Sequence, residues 1–293
     1  MKIISIFLCL VIYVFPFQLW AAGAGEVEAM QMPAWIKHNN GRSEPLKPGM
    51  LIQSGDQLIT GEFSRLLIRL NEGSYVKLGE NAQLNFDRLQ DTKEKQGFFE
   101  ALLKITKGAF RFTTTAFGKN KKRNIKVRIG IITAGIRGTD IWGKSDSEKD
   151  LLALLEGSIS MQRDGEPEFT MSDPLSYYLV PDDKPAEPIQ TIPQNKLAKW
   201  AAETELLDGV GVLVKNGKWN INLMSLDNLK ATIPVRKLFS DSGYATEVQK
   251  FISLGRNWYR IRISGFKTRE DAKNFSSFIN GLHGVKNPWI GKS

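Results

Sequence analysis

An all-β roll or sandwich followed by a small α+β domain is the fold class this chain predicts, and three observations carry the prediction. Between Pro33 and Val180, short alternating apolar runs are broken by Gly, Asn and Asp, which is strand and turn chemistry. From Pro181 to Pro193, four prolines stand among Asp, Lys and Glu, a composition that resists both helix and ladder and predicts a semi-rigid linker. After Lys218, alternating apolar runs are interrupted by two helix-like stretches. A length of 293 residues suits two domains, and 42% hydrophobic with 24% charged residues excludes a disordered or fibrous chain.

Met1-Lys2 precedes an almost unbroken apolar run from Ile3 to Trp20 and then Ala22-Gly23-Ala24, the plan of a cleaved export leader over residues 1–24. The alternative is a retained anchor, because the run is near the lower length of a spanning helix. Cys9 is the chain's one cysteine and lies within the leader. The exported chain is therefore predicted to hold no disulfide, thiol nucleophile or thiolate metal site, and no integral span after cleavage.

Residues 30–180 are expected to form the β domain. Leu66, Ile68 and Leu70 alternate with Leu67 and Arg69, and Asn71-Glu72-Gly73 turns the chain into a run beginning at Tyr75. Phe110–Thr113, Ile125–Ile129 and Leu151–Leu155 add further strands. Lys95–Thr106 is expected to be a helical interruption, because Phe98, Phe99, Leu102, Leu103 and Ile105 recur at helix-like spacing. The linker with a short helix, Gln194–Asp208, occupies 181–215.

The C-terminal domain spans 216–293. Its first strand carries Trp219, Ile221 and Leu223 toward the core and Asn220, Asn222 and Met224 on the other face. A helix follows over Asp227–Ser242, with Leu229, Ile233, Leu238 and Phe239 inward, Gly243 as its stop and Pro234 splitting or shortening it. Glu247–Leu254, a turn at Gly255-Arg256-Asn257 and Trp258–Ile263 form a hairpin. Thr268-Arg269-Glu270-Asp271 opens a second helix as a capping box, and Pro288-Trp289-Ile290 supplies a last short strand. The resulting βαββαβ order makes a helix-backed antiparallel sheet with one open face. These last 78 residues carry 13 basic and 5 acidic residues, so they hold +8 of the chain's +9.

Pro48 to Arg65, running into Leu70-Asn71-Glu72-Gly73-Ser74, resembles the FecR domain family, and Ile132 to Asp140 (ITAGIRGTD) matches that family's second signature. The resemblance implies an all-β extracytoplasmic module that contacts other proteins. Sigma-factor control is not expected to carry over, because FecR regulators have a cytoplasmic segment and a membrane helix ahead of the module, whereas a leader is what is expected here. The C-terminal residues resemble a SPOR domain, of ferredoxin/RNP-like βαββαβ fold, through Trp219 to Ser225, Trp258 to Phe266, Thr268 to Ala272 and Asn287-Pro288-Trp289. That resemblance implies binding of peptidoglycan glycan strands lacking stem peptides, often at the division septum. It puts the glycan contacts on Asn222, Ser225, Trp258, Arg260 and Trp289. The residues agree chemically: rings suit sugar faces, and amide and guanidinium donors suit hydroxyls and lactyl carboxylates.

Other functions are less well supported. A basic sheet of this order also fits an RNA-binding domain, but the leader removes the nucleic-acid partner and the third strand lacks the aromatic signature of such domains. His38 and His283 are the chain's two histidines, far apart and in no catalytic or metal-ligand motif. The expectation is a non-catalytic protein of the periplasm or cell envelope, without cofactor or metal, whose tail binds glycan and whose β domain meets an unidentified envelope protein. The alternative is a FecR-type signalling or scaffold protein in which the tail gives only general envelope adhesion.

Overall fold

The computed structural model describes residues 23–92, 98–115, 123–182 and 184–292. Most of the expected leader therefore lies outside the described residues. From Gly25 to Pro181 the chain forms two sheets that share one long strand, Phe98–Thr113. Its first half pairs antiparallel with Gln83–Thr92 and parallel with Arg123–Ile129, and its second half pairs with Tyr75–Leu78 and Asp140–Ser145. Inward residues of both sheets, among them Val27, Ile68, Phe86, Phe99, Phe112 and Val127, form one contiguous core.

The helix expected over Lys95–Thr106 is a strand from Phe98 onward, and its first residues, 93–97, lie outside the described set. Phe99, Ala101, Leu103 and Ile105 are buried in strict alternation. Phe98, Glu100, Leu102 and Lys104 on the opposite face are half-buried, so apolar residues are tolerated there too, and the sequence then carries helical and strand periods together. Gly108 sits where the long strand changes partners; a Cβ there would lie 2.5 Å from Ala82, so only glycine allows the approach.

The residues after the prolines do not hang as a free spacer. Helix α1 (Gln194–Thr204) lies on the β domain, with the Trp200 ring stacked on Trp142 at 4.9 Å and edge-on to Tyr177 at 5.6 Å. Lys77 and Arg111 both hold Glu205 just beyond it, and Lys144 holds Glu203. The Gln31 side chain then accepts from Leu207 N–H and donates to the Val210 carbonyl. The two-residue strand Leu213–Val214 pairs with Gly25–Gln31 of the β domain on one side and with Phe266 of the C-terminal sheet on the other. Hydrogen-bonded ladders thus run unbroken from one domain into the next.

The C-terminal sheet has the order Trp289–Lys292, Trp219–Leu226, Arg256–Phe266, Glu247–Ser253, all antiparallel. Helices α2 (Leu229–Asp241) and α3 (Arg269–Ile279) back one face. Asn228 caps α2, and Pro234 neither splits nor shortens it. The inward stripe of α2 is Thr232, Val235 and Phe239, whereas the expected Leu229, Ile233 and Leu238 are exposed. The rotation follows from Phe239, which is gripped edge-on by Tyr244 and by His283 of the Leu282–Gly284 turn. α3 opens with the expected capping box between Thr268 and Asp271. Asp271 is fully buried because its other oxygen accepts from Val212 N–H, tying α3 to the junction strand.

Candidate functional site: the open face of the C-terminal sheet

The hairpin that carries the site turns at Leu254-Gly255, one residue earlier than expected. Both residues have positive φ, 49° and 70°, which is the two-residue turn that matches strand twist. This register sets Phe251 opposite Trp258, Gln249 opposite Arg260 and Glu247 opposite Arg262. Trp258, Arg260, Arg262 and Ser264 therefore share the face turned away from the helices, while Ile261 and Ile263 are buried under them.

The first strand reaches this face by an irregularity that spacing alone does not reveal. Asn222 pairs with Arg262, but Met224 pairs with Ile261 and Ser225 with Arg260, so a bulge at Leu223 inserts one residue. Met224, expected on the open face, is instead turned to the core side. Asn222 and Ser225, three residues apart, would occupy opposite faces of a regular strand, and the bulge brings them to one.

Among the five residues expected at the site, Arg260 is central. Its guanidinium lies 4.2 Å from the Phe251 ring centroid and 5.2 Å from that of Trp289, a cation held between two aromatic faces. Its Nε is buried and has no hydrogen-bond acceptor among the described residues. Trp289 is 42% exposed at the other edge of the sheet. Ser225 and Trp258 line a shallow groove of about 580 Å³ together with Phe251, Ser253, Leu254 and Arg256. Asn222 is only 3% exposed and donates to the Trp289 carbonyl at 3.4 Å, so it sits beneath the face and steadies the strand that carries Trp289.

Phe251 was missed in the sequence. Its signal was the hairpin register, which depends on where the turn falls. Arg262 is engaged by Glu247, which accepts from Arg262 Nε at 2.6 Å and from Ser264 Oγ at 2.7 Å. Burial pushes the Glu247 pKa up, but the hydrogen bonds from Ser264 and Arg262, with the charges of Arg262 and Lys47, outweigh it and the net shift is downward. Arg262 is thus partly neutralised, while Arg260 makes no ion pair among the described residues. His38 bridges Asp56 and Glu44, and His283 meets Ser242 Oγ at 2.8 Å; the two imidazoles lie in separate domains. Among the described residues, no group of three or more His, Cys, Asp or Glu is placed to hold a metal, and no helix is long and apolar enough to cross a membrane.

Comparison with known proteins divides the chain in the same way. The family model for FecR protein matches residues 56–160, and that for the SPOR domain matches residues 215–290. No curated protein matches. A candidate anti-sigma factor from Parabacteroides distasonis, in crystal structures at 1.65 and 2.50 Å, is similar at 10% identity and a TM-score of 0.40, over 69% of this chain and 96% of that one. The chain therefore carries a FecR domain followed by a SPOR domain, a signalling or interaction module joined to a peptidoglycan-binding one. Both are non-catalytic binding or regulatory types, typical of envelope proteins.

Proposed function

We propose that the open SPOR face binds glycan strands stripped of their stem peptides, through Trp258, Arg260, Ser225 and Trp289 with Asn222 in support, and so localises the FecR domain beside an envelope protein that it contacts. The observation that carries this reading is the Arg260 guanidinium on the open face, packed on the rings of both Phe251 and Trp289. A cation fixed in this way offers a directed donor to the lactyl carboxylates that stem-peptide removal exposes, and rings on either side suit the apolar faces of sugars. The basic excess of this domain adds a long-range attraction for such strands. Export by the leader and enrichment at the division septum belong to the same reading. The test is co-sedimentation of the purified protein with sacculi before and after amidase removal of stem peptides. Stronger pelleting after amidase, lost in Trp258→Ala and Arg260→Ala, is the expected result; equal pelleting of both sacculi would leave only general envelope adhesion.

A further inference from the structure

The row of open-face side chains does not stop at the edge of the SPOR sheet. Glu247 and Ser264, its last members, are also walls of a cleft of about 280 Å³. The cleft is also lined by Leu46, Lys47 and Pro48 of the β domain, by the junction strand and by the Lys215–Gly217 loop. Its size is comparable with the lower end of small-ligand clefts, roughly 300 Å³.

The charges in this cleft are unevenly committed. Arg262 is held by Glu247 and Lys215 by Glu26 at 2.7 Å. Lys47 is exposed, acts on Glu247 through its charge, and makes no ion pair among the described residues. Along the third strand, Arg260 and Ser264 are separated by about 13 Å at roughly 3.3 Å per residue, a span that a few sugars of an extended strand cover. A polyanion seated on Arg260 and running along this strand toward Ser264 passes Arg262, which Glu247 holds, and enters the cleft that Lys47 lines.

We propose that the glycan site is shared between the two domains: Lys47 of the β domain, ahead of the stretch that matches FecR, receives the carboxylate of a further sugar in this cleft, so that the body reads the strand together with the tail. This rests on the glycan reading above and adds a residue outside the SPOR domain. The ladder through Leu213–Val214, paired to both domains, holds the two walls in register. The FecR domain would then be oriented along the glycan, not merely tethered to it.

The experiment measures binding of the full-length purified protein to amidase-treated sacculi, with and without conversion of the glycan carboxylates to amides by carbodiimide and ammonia. Lys47→Glu is expected to weaken binding about three- to tenfold, the effect of turning a partly exposed ion pair repulsive. Lys47→Arg should bind like the parent, and the difference between Lys47→Glu and parent should vanish on amidated glycan. Parent-like binding by Lys47→Glu while Arg260→Ala is weakened would overturn the shared site and leave the SPOR reading standing. A Lys47→Glu deficit that persists on amidated glycan would also overturn it, because the lysine would then be acting on something other than a sugar carboxylate. If Trp258→Ala and Arg260→Ala bind like the parent, it is the glycan reading itself that fails.

Discussion

Replacing Arg260 separates what its charge does from what its shape does. In Arg260→Ala the face loses a guanidinium that packs on the Phe251 and Trp289 rings and the charged donor it offers to a ligand. A hydrogen bond to a charged group contributes about 1.5–3 kcal/mol, so glycan affinity should fall roughly ten- to hundredfold. Stability should fall less, because two partly exposed cation–ring contacts amount to about 1–2 kcal/mol, or several degrees of Tm for a domain of this size. Arg260→Lys keeps the charge but not the planar fork; it should retain the salt dependence of binding while losing about three- to tenfold in affinity. The assay is a co-sedimentation isotherm on amidase-treated sacculi at two salt concentrations, beside a thermal melt of each variant. Parent-like affinity in Arg260→Lys would refute the planar-fork argument, and parent-like affinity in Arg260→Ala would refute the placement of the site on this face.

Three further perturbations test the frame around the site. Asp271→Ala removes the capping box of α3 and leaves Val212 N–H buried without an acceptor; a loss of about 2–4 kcal/mol in urea unfolding is expected, and less than 1 kcal/mol would contradict it. Trp200→Ala deletes the ring stacked on Trp142, which should reduce stability by about 2 kcal/mol, given 3–5 for a fully buried tryptophan, and speed proteolysis within residues 181–193. Unchanged cleavage there would mean that α1 is held by its ion pairs instead. Glu247 has a lowered pKa in the folded protein, so its stabilising contribution is present above its ordinary value of 4.5 and is lost as pH falls through the folded value below that. The stability difference between parent and Glu247→Gln, followed as a Tm gap, should therefore be largest at neutral pH and close in acid; because the side chain is 48% exposed, the underlying free energy should stay within about 1 kcal/mol.

Much of the C-terminal fold was legible because its signals are local. Thr268 and Asp271 announce a helix start by chemistry confined to one turn, and the alternation of Trp258, Arg260 and Arg262 with Tyr259, Ile261 and Ile263 separates two faces without reference to any other strand. What could not be read depends on pairing. The Leu223 bulge is a property of register against the third strand, so straight alternation turned Met224 outward and gave no account of how Asn222 and Ser225 come to share a face. Phe251 joins Arg260 only because the turn falls at Leu254-Gly255. The 98–106 stretch fits two periods, and only partners on both edges decide between them. Lys47 lies about 200 residues from the sheet it faces, and no local pattern joins them.

The junction bears on what a peptidoglycan-binding tail does for the body attached to it. A flexible tether would raise the local concentration of the FecR domain near the wall and leave its orientation free. Here the prolines are followed by a helix stacked on the body, by Gln31 gripping Leu207 and Val210, and by a strand paired to both domains. Ala34 N–H also donates to the Gly243 carbonyl directly across the interface, where a Cβ on Gly243 would meet the Trp35 ring at 2.6 Å. Gly243→Ala therefore perturbs the junction at a single atom, and its positive φ of 79° adds backbone strain. If the domains act as one body, this variant should lower the melting of both together in a single transition, followed by calorimetry, while the isolated glycan face keeps its side chains. Two separated transitions in the parent protein would show that the ladder does not couple them, and the orienting role argued for Lys47 would lose its mechanical basis.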